Sequence, residues 1–183
     1  MNKNLTPAAT VLVLRDSKEG IEVLMVKRSK KSPFGNLYVF PGGKIDEDDL
    51  QKEWKSCCDG YNDSIASDIL GVNENGLSYW IACIRESFEE VGILLAKRKS
   101  GEKLDLEGKD KNKFDKYRND LINHEISFLE ICKRTSRYVN SEGTLNANDH
   151  FARPRRQRRY IRPSQSRPAC IPCCGADFSS AAN

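Results

Sequence analysis

The stretch Arg85-Glu86-Ser87-Phe88-Glu89-Glu90-Val91-Gly92 constrains this chain more than any other. Glutamates at i, i+3 and i+4 crowd one patch of helix surface, where like charges repel. A helix built only for packing avoids such a patch. A hard divalent cation such as Mg²⁺ resolves the repulsion, because it takes oxygen ligands and keeps waters for a phosphate substrate. An acidic trio is also what an ordinary solvated helix face carries, so charge alone leaves both readings open.

The helix is well marked over residues 78–91, with Ser78 as its expected N-cap and Gly92 as its stop. At about 100° per residue, Trp80, Ile81, Ile84, Phe88 and Val91 share one arc, and Glu86, Glu89 and Glu90 lie opposite. One face is expected to pack and the other to be acidic. Upstream, the β-branched and apolar runs 8–14 and 21–26, separated by turn residues 16–20, predict a hairpin, and 37–40 predicts a short strand ended by Pro41-Gly42-Gly43. Short helices are expected near 50–58 and 64–70, a strand over 93–96, and helices over 114–122 and 127–133.

A Gly-Gly turn after a strand, followed by Arg-Glu-x-x-Glu-Glu-x-Gly-Ile, resembles the Nudix box, G-x5-E-x7-R-E-U-x-E-E-x-G-U. Six of the seven fixed positions in its second half are matched, with Ser87 in place of a bulky apolar residue. In the first half Gly43 is in place and Asp49 stands where the first glutamate belongs, but 35 residues rather than seven separate Asp49 from Arg85. An insertion of this size resembles one branch of the Nudix hydrolases, related to those that degrade coenzyme A and its thioesters. The similarity runs through residues 23–29, 34–46 and 82–95, and more weakly through Tyr117-Arg118 and 126–129.

The resemblance implies an α/β Nudix fold, a mixed sheet between helices, with a helical insertion at 46–76 inside a domain spanning 5–144. It also implies roles: Glu86, Glu89 and Glu90 as ligands of Mg²⁺ or Mn²⁺, and Arg85 orienting a glutamate through a salt bridge. Gly42 and Gly43 let the backbone approach metal and substrate, and Arg28 is able to grip a phosphate with two donors. The implied reaction is cleavage of a diphosphate in a nucleotide-like small molecule, with coenzyme A or acyl-coenzyme A favoured.

The net charge of +4 is unevenly distributed. Residues 151–183 hold seven arginines, no lysine and one acid, a net of +6, which leaves −2 over residues 1–150. Residues 145–183 depart from the family pattern. Arg158-Arg159-Tyr160 matches briefly, and the prolines around it are expected to exclude a central strand. This part reads as a basic, disordered tail, either frameshifted or truncated, that leaves the sheet incomplete. Two rival readings follow: an inactive remnant, or non-specific nucleic-acid binding through the arginines of 152–160.

Seven cysteines without a framework spacing read as reduced thiols, and Cys170-x-x-Cys173-Cys174 lacks the second pair a zinc site needs. His124 and His150 are isolated, and Trp54 and Trp80 are expected in the core. With no apolar run of membrane length, no signal peptide and no peroxisomal signal at the end, the chain reads as cytoplasmic.

Overall fold

In the computed structural model, which describes residues 5–30, 35–98, 106, 108–135, 137–140 and 158–161, the apolar run 8–14 is divided between two ladders. Five strands lead the chain: β1 (Ala8–Thr10), β2 (Leu14–Ser17), β3 (Gly20–Lys27), β4 (Tyr38–Val39) and β5 (Gly42–Lys44). β1 lies antiparallel to β5 with Ala9 opposite Gly43. The expected hairpin forms between β2 and β3, with Leu14 opposite Val23 and Lys18-Glu19 at the turn. Val39 of β4 then pairs with Val26 of β3.

The insertion is less helical than expected. Two short 3₁₀ turns, Glu47–Leu50 and Lys52–Ser56, precede strand β6 (Cys58–Asp59) and helix α1 (Asp63–Leu70). It is also built into the core rather than laid over it. Trp54, Cys57 and Ala66 are buried, Trp54 stacks at 5.6 Å on Phe128, and β6 runs parallel to strand β8 (Arg137–Asn140). β8 in turn pairs antiparallel with β7 (Ala96–Arg98), so the expected strand over 93–96 lies further along the chain.

Helix α2 (Gly76–Val91) runs through the middle of all this. Trp80, Ile81, Ile84 and Phe88 pack on α3 (Lys111–Ile122) and α4 (Phe128–Thr135), with Phe88 6.3 Å from both Phe114 and Phe128. Ala82 and Cys83 pack against Ala9, while Val91 and Ile93 meet Val13 and Leu24. Each large side chain buried here contributes about 1.5–3 kcal/mol. Ser87, where the motif has an apolar residue, is fully buried and satisfied, its hydroxyl donating to the Cys83 carbonyl at 2.8 Å.

The start of α2 differs from expectation. Ser78 does not accept a capping bond; its hydroxyl donates to the Asn75 carbonyl at 2.7 Å, and the helix begins at Gly76. The first amides are instead taken by the insertion: the Asp63 carboxylate accepts from Asn75 and Leu77 at 3.1 and 3.0 Å, and the Ser67 hydroxyl from Gly76 at 2.9 Å. The C-terminal stop is as expected, with Gly92 at φ 67°.

Arg158–Ile161 forms strand β9, antiparallel to β3, with Val23 opposite Ile161 and Val26 opposite Arg158. Val23 and Val26 also face Leu14 and Val39, so β3 is paired on both edges. Pro154 and Pro163 lie outside these four residues and leave the ladder intact. The remaining expectations for 145–183, and those for Cys170, Cys173, Cys174 and His150, fall outside the described residues. Trp54 and Trp80 are buried, as expected, and among the described residues Cys57, Cys58, Cys83 and Cys132 form no disulfide. Among the described residues no helix is long and apolar enough to cross a membrane.

Candidate functional site

Arg85 organises the site from beneath. It is only 4% exposed, a position an arginine occupies only when its donors are matched. Its Nε and Nη2 donate to the two oxygens of Asp49 at 3.0 and 2.9 Å, and Nη2 also reaches the Lys44 carbonyl at 2.9 Å. Nη1 donates to Oε1 of Glu86 at 3.0 Å and of Glu89 at 3.3 Å, and lies 3.3 Å from the Asp46 carboxylate. One guanidinium therefore ties together the N-cap and one residue of the first 3₁₀ turn, the end of β5 and two glutamates of α2.

Asp49 is fully enclosed and takes a further bond from the Asp46 amide at 2.9 Å. Burial raises its carboxyl against the pull of the Arg85 hydrogen bonds and charge. Burial also works against the Arg85 charge, but the Asp49 hydrogen bonds, then the charges of Asp49, Glu86 and Glu89, outweigh it and push the guanidinium above its ordinary value. The two-oxygen geometry is that of an ion pair. The 35 residues between them are thus spanned, and Asp49 meets Arg85 directly.

Two of the three glutamates on the acidic face are more covered than helical periodicity suggests, and Glu90 is exposed. Glu86 and Glu89 side chains are 15% and 24% exposed, covered by β5 and the first 3₁₀ turn. Burial pushes Glu86 up to about 7, with the Arg85 charge opposing and Glu89 and Glu90 adding to the rise. Glu89 is raised by burial against Arg85, and Asp46 and Asp49 add to it. Glu90 is also raised by burial, opposed by its bond from the Gly42 amide at 3.4 Å and by the charge of Arg28.

Gly42 and Gly43 leave no room for a side chain. A Cβ on Gly43 would stand 2.1 Å from Oε1 of Glu86, and one on Gly42 would stand 2.3 Å from the Ala9 carbonyl oxygen. Arg28 is exposed, and it joins the group only through its charge on Glu90. The structure therefore brings Arg85, Glu86, Glu89, Glu90, Gly42 and Gly43 together, with Arg28 at the margin.

Three carboxylates held near one another against burial and repulsion form a donor set suited to a hard dication. In the conformation described, Glu86 and Glu89 turn to Arg85 and Glu90 to Gly42. Among the described residues no three acidic, thiol or imidazole groups already surround one point. The glutamates fit such an ion by their chemistry, each keeping acceptor sites beyond the bonds it makes.

Sequence reasoning assigned no role to Asp46 or Arg118. The acidic run 46–49 carried a signal for the first. For Arg118 there was none beyond its place in a weakly similar segment, yet its guanidinium meets the end of α2: Nε donates to the carbonyls of Phe88 and Glu89 at 2.8 and 2.9 Å.

No family model matches the chain. Over 139 residues it is 28% identical to the acyl-coenzyme A diphosphatase NUDT19 of Xenopus laevis, a match covering 61% of this chain and 37% of that protein. The crystal structure of a NUDIX hydrolase from Alicyclobacillus acidocaldarius overlays on it with a TM-score of 0.51 at 23% identity, over 77% of this chain and 59% of that one. The chain thus spans little more than a third of the curated relative's length.

Proposed function

We propose that this chain, which has the Nudix fold and is related to the acyl-coenzyme A diphosphatases, is a metal-dependent hydrolase of a diphosphate linkage. The observation that carries this reading is the junction at Arg85. Asp49, displaced in sequence by the insertion, returns to the arginine beside Glu86 and Glu89, so the two separated halves of the motif make one site.

Glu86, Glu89 and Glu90 would hold Mg²⁺ or Mn²⁺, which when bound neutralises phosphate oxygens and acidifies a coordinated water. The rest of the work falls to the chain itself. Arg85 fixes Glu86 and Glu89 through one nitrogen, while its bonds to Asp49 and Lys44 hold the guanidinium still. Gly42 and Gly43 bring backbone against Glu90 and Glu86, which leaves space for a phosphate where side chains would otherwise stand. Arg28, exposed on the Glu90 side, supplies a forked donor for a substrate phosphate.

Acyl-coenzyme A or coenzyme A is the favoured substrate, supported by the likeness to an acyl-coenzyme A diphosphatase. The carboxylates address the diphosphate and not its substituents, so ADP-ribose and dinucleotides are the competing substrates. We place the enzyme in the cytoplasm and assign catalysis to residues 5–144. The test is a panel of coenzyme A, acyl-coenzyme A, ADP-ribose and dinucleotides with Mg²⁺ or Mn²⁺, scored for phosphate-bearing products. Turnover fastest on the coenzyme A compounds is expected. Metal-independent turnover, or none on any diphosphate, would overturn the reading.

A further inference from the structure

We propose that Arg118 is a positioning residue that fixes the last turn of α2 and so sets the spacing of the three glutamates toward a metal ion. The inference rests on the hydrolase reading above. The last turn of α2 is electrostatically unfavourable by itself, because Glu86, Glu89 and Glu90 repel one another and the negative end of the helix dipole adds to the excess. Helix ends also fray first, since their final carbonyls lack partners within the helix. A metal site placed there needs an external clamp.

The clamp comes from α3. Arg118 Nε donates to the carbonyls of Phe88 and Glu89 at 2.8 and 2.9 Å, and Nη2 donates to those of Glu89 and Glu90 at 2.5 and 3.2 Å. The Gly92 and Ile93 amides close the same turn on the carbonyls of Phe88 and Ser87 at 2.9 and 3.2 Å. The carbonyls of Ser87, Phe88, Glu89 and Glu90 are thus all engaged, and two of the three clamped by Arg118 belong to glutamates of the site. α3 is itself held down one turn earlier, where buried Phe114 meets Phe88 edge-on. The guanidinium is always charged and donates to these backbone carbonyls, so it offsets part of the acidic excess at this end of the helix.

Mn²⁺ affinity of the full chain, measured by electron paramagnetic resonance of free Mn²⁺, tests this with Arg118→Met, Arg118→Lys and, as a control, Leu121→Ala on the same helix. Arg118→Met should weaken Mn²⁺ binding about ten-fold or more, the scale of lost second-layer support at metal sites. Arg118→Lys should recover part of it. Leu121→Ala removes buried side-chain volume from α3 and should lower the unfolding temperature while leaving the Mn²⁺ Kd within about two-fold. In metal-free protein, hydrogen exchange at the Gly92 and Ile93 amides should quicken in Arg118→Met. If Arg118→Met binds Mn²⁺ as the wild type does and only melts earlier, Arg118 is structural and the inference falls while the hydrolase reading stands. If the wild type binds no Mn²⁺, both fall.

Discussion

Arg85 and Asp49 form a buried ion pair, with side chains 5% and 0% exposed. A guanidinium that holds one buried carboxylate through two nitrogens cannot be replaced by a point charge, and an apolar residue would leave the buried Asp49 carboxyl without its counter-charge and donors. Arg85→Met is therefore expected to lower unfolding free energy by about 3–5 kcal/mol in urea titration, and a loss under about 1 kcal/mol would contradict the account. The neighbouring glycines should separate stability from binding. At Gly42 an added Cβ meets the Ala9 backbone, whereas at Gly43 it meets the end of the flexible Glu86 side chain. Gly42→Ala should depress the unfolding temperature; Gly43→Ala should leave it nearly unchanged and weaken Mn²⁺ binding. Equal effects in a melt and a binding titration would remove the distinction.

At the scale of elements, α2 is both core and site, which explains what the sequence makes legible. The packing stripe of Ile81, Ile84 and Phe88 and the glutamate spacing are local patterns, and so can be read along the chain. What covers the acidic face is not local: β5 and the first 3₁₀ turn arrive from more than 35 residues away, and periodicity alone shows that face as open. The N-terminal cap is hidden for the same reason, because Asp63 sits 12 and 14 residues before the amides it accepts. Ser78 looks like a cap in one dimension only. Asp63→Ala leaves two first-turn amides without that acceptor and should cost about 1–2 kcal/mol by chemical denaturation, on the scale of a lost N-cap. No loss would mean that water or Ser67 takes over. Because the insertion supplies this cap, Trp54 and β6, it is part of the fold that carries the site, and excising it would test folding before substrate choice.

For the whole molecule, charge and composition divide the chain near residue 150, but the sheet does not follow that division. β9 reaches back to close the second edge of β3, a pairing that a short arginine-rich segment between prolines does not advertise. Ending the chain at residue 157 should therefore lower the unfolding temperature while sparing Mn²⁺ affinity, because β9 pairs with β3 and not with α2. An unchanged melt would show the pairing to be energetically silent. The proposed hydrolase mechanism requires that the α2 carboxylates hold the metal needed for diphosphate cleavage. Its most direct test is Mn²⁺-dependent release of phosphate-bearing products from acyl-coenzyme A by the wild type and by the Glu89→Gln/Glu90→Gln double variant, with metal-free unfolding followed alongside. Turnover by the wild type, none by the variant, and a variant fold at least as stable without metal, through relief of like-charge repulsion, are expected. Turnover that survives the double substitution in a preparation free of phosphatase would contradict the mechanism.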